Sequence, residues 1–292
     1  MKPPPFSYHD PATVGDAVSL LARLENAKLL AGGQSLMPML NMRFVLPDHL
    51  IDLNRVEGLA FIRETGDGLE IGAMTRQRDL EFSDVVRRRC PLLDEAIRHV
   101  GHRQTRNRGT LGGSLCHLDP AAELVSVAAA LDATVTVTGP KGERKIPFAD
   151  FPVAFMTPAI EPDELLTAVR FPDWPKGHGH AFIEFARRHG DFAIVSAAAL
   201  LTEDSGGRIA RASVTIGGMG TVPIRAADLE RALIGQAPED TVLREACESC
   251  RKLEAIDDVH APASYRQHLA AVLSRRALEQ ARARLPSRAR AH

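Results

Sequence analysis

Two paired glycines constrain this 292-residue chain more than any other feature. Gly32-Gly33 lies in Ala31-Gly32-Gly33-Gln34-Ser35-Leu36, directly after a short apolar run, Lys28 to Leu30, that reads as a strand. Gly112-Gly113 lies in Gly109-Thr110-Leu111-Gly112-Gly113-Ser114. Hydroxyl side chains stand beside both pairs: Ser35 after the first, Thr110 and Ser114 around the second. Each pair precedes a predicted helix start. Glycine lets backbone N–H groups approach an anion with no Cβ in the way, and helix N-termini and hydroxyls add donors. Two such loops facing each other can grip a pyrophosphate. Two tight turns with no ligand account for the same spacing. No G-x-G-x-x-G run and no Walker-type lysine is present, so neither a Rossmann dinucleotide site nor a P-loop is supported.

The rest of the chain reads as mixed helix and strand. Thr13 with Asp16 three residues on resembles a capping box, and Val14, Ala17, Val18, Leu21 and Leu24 repeat at helical spacing behind it. Strands are expected at His49 to Leu53, Leu69 to Met74, Ala133 to Thr138 and Leu165 to Phe171, with helices over Pro91 to Val100 and from Pro120 onward. The polar stretch Gly101 to Arg108 reads as a basic loop. The breaker-rich Pro172-Asp173-Trp174-Pro175-Lys176-Gly177 is the best domain boundary. Beyond it, three strands (Ala181 to Ala186, Ile194 to Leu201, Ile209 to Ile216) precede three helices (Ala226 to Ile234, Thr241 to Glu254, Ser264 to Ala283). Strands followed by helices make an α+β module. In the last helix Tyr265, Leu269, Val272 and Leu273 are expected to mark the buried face, and the arginine-rich stretch Arg282 to Arg290 reads as a solvated end.

Composition narrows the function classes. Hydrophobic residues make up 45% and charged residues 25%, and 36 Lys+Arg against 37 Asp+Glu leave a net charge of −1, so no global field favours nucleic acid. No run of about 18 apolar residues is available for a membrane span, and Met1 to Pro5 lacks the apolar segment of a signal peptide, so a cytoplasmic protein is expected. Four cysteines make no disulfide framework and no iron–sulfur ligand set. Cys247 and Cys250 form a lone C-x-x-C, read either as ordinary buried thiols or as a pair that binds or senses something. His178, His180, His99 and His102 lack a carboxylate or cysteine at ligand spacing, so no metal site is expected. Ser35 and Ser114 lie in no G-x-S-x-G elbow. Asp119 and Glu123, one helical turn apart, read either as ribose-hydroxyl partners or as acids favoured by the positive end of their helix.

At the glycine loops the sequence resembles a known family. Ala31 to Leu36, followed by Pro38 and Asn41-Met42-Arg43, is similar to the first flavin loop of the FAD-binding middle subunit of molybdenum hydroxylases, the carbon-monoxide dehydrogenase and xanthine dehydrogenase relatives. Arg106 to Leu115, then His117, Asp119-Pro120 and Glu123, looks like the second loop. Arg187 with Gly190 to Ala193, and Ser264 to Arg266 with Arg275 to Leu278, resemble two further family segments. The likeness runs from Phe6 to about Ala283. It implies an α+β protein: a two-subdomain FAD-binding fold of the vanillyl-alcohol-oxidase / p-cresol-methylhydroxylase type over residues 1–176 (subdomains about 1–55 and 56–176), a small C-terminal flavoprotein domain over 177–285, and a tail, 286–292. It also implies cofactor-binding roles. Ala31, Gly32, Gly33, Gln34, Ser35 and Leu36, with Thr110, Gly112, Gly113 and Ser114, would bind the cofactor, the backbone of Ala31 to Ser35 and of Thr110 to Ser114 holding the FAD pyrophosphate. Asp119 and Glu123 would contact the cofactor, and Leu165 and Phe192 would lie near the isoalloxazine. Many relatives carry Tyr at the Phe192 position, so any role of that phenol is lost here. Cys116 and Leu118 stand where Ala is commoner.

The resemblance implies partners as well: a small subunit with two [2Fe–2S] clusters and a large molybdopterin subunit, in a dimer of heterotrimers, with an external electron acceptor. No residue of this chain is expected to be catalytic or to bind metal. The competing readings are a stand-alone flavin oxidoreductase of the same fold and a scaffold without redox chemistry. The first needs its own acid–base group near the loops, and the second has no use for two glycine cradles.

Overall fold

The computed structural model describes residues 2–286. In chain order the elements are β1 (Ser7–His9), α1 (Val14–Arg23), β2 (Ala27–Leu30), α2 (Leu36–Asn41), β3 (His49–Asp52), β4 (Ile62–Thr65), β5 (Gly68–Gly72), α3 (Gln77–Glu81), α4 (Asp84–Arg89), α5 (Pro91–Ala96), α6 (Arg103–Arg108), α7 (Leu111–His117) and α8 (Glu123–Ala130). They continue as β6 (Thr134–Gly139), β7 (Gly142–Pro147), β8 (Pro152–Ala154), β9 (Thr157–Pro158), β10 (Leu165–Pro172), β11 (Gly179–Phe185), β12 (Val195–Glu203), β13 (Ile209–Gly217), β14 (Ile224–Arg225), α9 (Ala227–Leu233), α10 (Asp240–Cys247) and α11 (Ala263–Ala283). The chain divides into two compact units. The first comprises 1–89, 102–118 and 133–172; the second comprises 90–101, 119–132 and 173–292.

In the first unit β1, β3 and β2 form a parallel sheet in that order. The expected Thr13 cap is present: its hydroxyl accepts the Asp16 N–H at 3.1 Å. Ala17, Val18 and Leu21 of α1 are buried with Ile51, Leu53 and Leu165 in one cluster, as the helical spacing requires. A second, antiparallel sheet runs β4-β5-β10-β6-β7. Gly112 of α7 seats that helix against the end of β5, because a Cβ there would fall 2.6 Å from the Ala73 Cβ and 2.9 Å from its carbonyl oxygen.

The second unit is built on the antiparallel sheet β11-β12-β13-β14. Residues 195–202 of β12 are all buried, with none of the apolar–polar alternation of a half-exposed strand. The reason is that α11 packs on this strand and α8 does too. Small residues in α11, Ala270, Ala277 and Ala281, let the helix lie close. A Cβ on Gly179 would sit 1.8 Å from the Ala281 carbonyl oxygen.

Two expectations are corrected, and a third falls outside the described residues. Residues 103–108, read as a loop, form α6, and a guanidinium–carboxylate pair of Arg106 with Glu81 of α3 at 2.9 Å ties it down. Tyr265 is 39% exposed and Val272 is only half-buried, whereas Arg266 is 4% exposed. Arg266 is buried because its guanidinium donates to the carbonyls of Ile194 (2.5 Å) and Gly218 (2.7 Å) and pairs with Asp258 at 2.6 Å, satisfying a charge that hydropathy alone would place outside. The tail expected over 286–292 lies outside the described residues from 287 onward. Among the described residues no helix is long and apolar enough to cross a membrane.

Gly112→Ala is expected to lower stability by about 1–3 kcal/mol through overpacking against Ala73. Chemical denaturation of the variant and the parent checks this; equal midpoints would mean that α7 is free to shift away from β5.

Candidate functional site

The first glycine loop leaves the carboxyl end of β2 and runs into α2. Gly33 has φ +72°, a left-handed conformation that a side chain would strain. Gly32 has the opposite constraint: a Cβ would fall 2.2 Å from the Arg108 carbonyl oxygen and 2.9 Å from the Gly109 Cα. The two loops therefore touch, backbone to backbone, at a point where only glycine fits. A Cβ on Gly113 would lie 3.5 Å from the Ala31 Cβ, so the contact continues along the second loop.

The loops differ in what their backbones offer. Among the described residues, the N–H groups of Gly32, Gly33, Gln34 and Ser35 donate to no protein acceptor. In the second loop the donors are engaged. Leu111 N–H bonds the Thr75 carbonyl (3.1 Å), Gly112 the Ala73 carbonyl (2.8 Å), Ser114 the Thr110 carbonyl (3.2 Å), and Gly113 the Thr110 hydroxyl (3.0 Å). Thr110 is the N-cap of α7, and a Cβ on Gly113 would press on its hydroxyl at 2.7 Å. The second pair of glycines thus serves helix packing and capping, and its remaining free polar group beside the cap is the half-buried Ser114 hydroxyl.

A cleft of about 390 Å³ opens on the first loop, lined by Ala31, Gly32, Gly33 and Gln34 together with Asp52, Asn54 and Arg108. The Arg108 side chain is exposed and forms no ion pair among the described residues. Unpartnered N–H groups beside an unpaired guanidinium are the chemistry of an anion site. Ser35 is the N-cap residue of α2 without a side-chain cap bond, which leaves its hydroxyl available, and Leu36 begins the helix. Leu165, expected near the isoalloxazine, is 2% exposed inside the apolar cluster with α1 and is not among the residues lining this cleft. Sequence reading missed Asp52, Asn54 and Arg76. Their signal, Asp52-Leu53-Asn54 at the end of β3 and a lone Arg76 before α3, carries no recognisable pattern.

Asp119, Glu123 and Phe192 belong to the second unit. Phe192 is 63% exposed on a loop. Asp119 folds back to accept the Ala121 N–H at 2.9 Å. Glu123, in the first turn of α8, is 5% exposed. Burial pushes its carboxyl up to about 8, with Glu184 and Asp119 adding to the rise while His99 opposes it. His99 pairs with Glu184 at 3.3 Å, and that hydrogen bond raises the imidazole against its own desolvation. The second carboxylate oxygen of Glu184 is buried without a partner. Cys247 and Cys250 are free and buried, and burial raises both thiols, the reverse of what a reactive pair needs.

A mixed α+β scaffold that presents such a cleft on a glycine loop suits a protein that carries an anionic cofactor or nucleotide. Comparison with known proteins makes this specific. Residues 4–174 match the family described as the FAD binding domain in molybdopterin dehydrogenase, and residues 180–281 match the CO dehydrogenase flavoprotein C-terminal domain. The 6-hydroxypseudooxynicotine dehydrogenase complex subunit alpha of Paenarthrobacter nicotinovorans is 43% identical over 283 residues, 96% of each chain. The carbon monoxide dehydrogenase medium chain of Afipia carboxidovorans is 38% identical, over 97% of this chain and 99% of the relative. A solved carbon monoxide dehydrogenase from Hydrogenophaga pseudoflava, in a form lacking the Mo-pyranopterin moiety of its molybdenum cofactor, superposes with a TM-score of 0.95 at 37% identity, covering 98% of this chain and 100% of that one. The chain belongs to the FAD-binding medium subunits of the molybdenum hydroxylase family, a family of oxidoreductases, and has the α+β fold expected of it.

The raised Glu123 carboxyl has a pH consequence. Unfolded, Glu123 loses its proton near 4.5; folded, it keeps it to about 8. Its stabilising contribution is therefore complete below pH 4.5 and is lost as pH rises toward 8. Glu123→Gln is expected to gain stability relative to the parent across that window, by up to a few kcal/mol. Thermal unfolding of both at pH 5, 7 and 9 reads it; a difference constant with pH would refute the buried neutral acid.

Proposed function

We propose that this chain is the FAD-carrying electron-transfer subunit of a cytoplasmic molybdenum hydroxylase. In this reading it takes electrons from the [2Fe–2S] clusters of a small partner subunit, which a large molybdopterin subunit supplies, and delivers them to an external acceptor. The assembly is a dimer of heterotrimers. Residues 1–176 form the FAD-binding domain and 177–285 the C-terminal flavoprotein domain. The observation that carries the reading is the row of unpartnered N–H groups from Gly32 to Ser35, in a loop whose Gly32, Gly33 and Gln34 line a cleft together with Arg108. Four free cysteines suit a reducing compartment.

When bound, FAD supplies a redox group that takes electrons singly and releases one or two. The chain's own task is to bind and orient it. The N–H groups of Gly32, Gly33, Gln34 and Ser35 would donate to the pyrophosphate oxygens, and Arg108 would offset their charge. Ser35 and Ser114 would add hydroxyl donors, with Leu36, Thr110, Gly112 and Gly113 shaping the walls. Asp119, Glu123 and Phe192 would serve the remainder of the cofactor, Glu123 as a neutral acid able to donate a hydrogen bond below about pH 8. Leu165, with Phe192, would lie near the isoalloxazine. The relatives' names specify 6-hydroxypseudooxynicotine in one case and carbon monoxide in another, although both chains align along nearly their whole length. Substrate choice therefore falls to another subunit.

Purified protein should be yellow and should release FAD, because only the dinucleotide has a pyrophosphate for this cleft. Release of FMN alone, or a colourless protein that takes up no added FAD, refutes the reading. Gly33→Val should lose about 10- to 100-fold in FAD affinity, since strain at a positive φ and a blocked cleft cost on the order of 1–3 kcal/mol. Retention on gel filtration, with far-ultraviolet circular dichroism as the fold control, measures it.

Flavin-depleted complex should still let substrate reduce the iron–sulfur clusters under anaerobic conditions. Paramagnetic resonance reads the outcome. Clusters that stay oxidised only when FAD is missing would place FAD ahead of them.

A further inference from the structure

Beside the cleft, Arg76 holds both glycine loops at once. Its backbone is paired with Thr110 in a short antiparallel bridge, flanked by Gln77 N–H to the Gly109 carbonyl (2.9 Å) and Leu111 N–H to the Thr75 carbonyl (3.1 Å). Its side chain turns the other way. One guanidinium nitrogen, Nη1, donates to the Arg108 carbonyl at 2.5 Å; the other, Nη2, donates to the Asn54 Oδ1 at 2.5 Å. Asn54 passes the connection on, since its Nδ2 donates to the Ala31 carbonyl at 3.1 Å. Asp52 fixes Asn54 in turn, accepting its backbone N–H at 2.8 Å. Arg76 is not among the residues that line the cleft, whereas Asn54, Asp52 and Arg108 are.

We infer that Arg76, acting through Asn54, is a positioning residue for the FAD site: it sets the spacing of the two loops and thereby aims the free N–H groups of Gly32 to Ser35. This rests on the FAD reading above. A planar guanidinium holds its two terminal nitrogens at a fixed separation, so one side chain meets both acceptors with a rigid fork that a single ammonium nitrogen does not reproduce. The Arg108 carbonyl it grips is the same atom against which Gly32 is packed. Without the fork, that carbonyl and Asn54 lose a charge-assisted partner, and the contact point between the loops is no longer pinned. Desolvation and the neighbouring Arg108 charge both lower the Arg76 basicity. Asp79 and Asp52 offset part of that loss.

The test compares FAD affinity of the full chain carrying Arg76→Ala, Arg76→Lys, Asn54→Ala and the Arg76→Ala/Asn54→Ala pair, with far-ultraviolet circular dichroism and apoprotein melting as fold controls. Arg76→Ala should weaken FAD binding about 10- to 100-fold, and Arg76→Lys should fall well short of wild type although it keeps the charge. The double variant should be no weaker than the poorer single one, because both residues serve one connection. Added guanidinium ion below its denaturing range should restore FAD binding to Arg76→Ala, and methylammonium should not. If Arg76→Ala does not fold, Arg76→Lys and Asn54→Ala carry the comparison. Full affinity in Arg76→Lys would replace the fork with a simple charge effect and overturn the inference, as would wild-type affinity in Arg76→Ala, additive losses in the double variant, or absence of guanidinium rescue. A wild-type chain that binds no FAD overturns the functional reading itself, and this inference with it.

Discussion

The cleft depends on one contact, the approach of Gly32 to the Arg108 carbonyl. A Cβ at Gly32 would stand 2.2 Å from that oxygen, so the loops can meet only because it is absent. Several features follow. The first loop sits at the carboxyl end of a strand in a parallel sheet, where strand pairing stops and backbone donors are left over. With a neighbouring backbone pressed against one side, Gly33 turns into the left-handed region, and four successive N–H groups remain unpaired with protein. Unpaired donors of this kind carry a desolvation cost unless solvent or an anion meets them. The open cleft lets either do so.

The two Gly-Gly pairs look alike in sequence and differ in physical role. In the second pair every N–H from Leu111 to Ser114 already has a protein acceptor. Gly112 exists to let α7 reach Ala73, and Gly113 to leave room for the Thr110 cap. What the second loop brings to the cleft is the residue that leads into it, Arg108. The first loop is the one with backbone donors to offer. A symmetric picture in which both loops present N–H groups is therefore replaced by an asymmetric one.

Much of this was legible beforehand. The glycine pairs, the Thr13 cap, the α1 face and the strands of the second unit follow from spacing, because short-range rules decide them. The boundary of α8 was read three residues early, since Pro120 opens a turn and the helix starts only at Glu123. Helix α6 was read as a loop because its polar residues show no apolar stripe; it is held by the Arg106–Glu81 pair, a contact between residues 25 apart. Arg266 and Arg76 were invisible for the same reason. Each is defined by carbonyl acceptors distant in sequence, and no local pattern announces such a partner.

Glu123 shows how competing terms are decided by size. Its place in the first turn of α8 favours the ionised form, since the helix macrodipole stabilises an anion there by about 0.3–1 kcal/mol, rising to about 2 in partly buried sites. His99 pulls the same way. Burial pulls against both, and the rise from 4.5 to about 8 corresponds, at about 1.4 kcal/mol per unit, to a net several kcal/mol in favour of the neutral acid. Desolvation therefore outweighs the hydrogen bond from the residue's own backbone N–H and the imidazole together. The His99–Glu184 pair explains part of the margin, because the imidazole is already committed to a different carboxylate and Glu184 adds a second negative charge facing Glu123. A carboxyl kept neutral by burial is a hydrogen-bond donor at physiological pH. The same side chain exposed at a helix start would be an acceptor only, so burial in the second unit, and not the choice of an acidic residue, decides what Glu123 can offer.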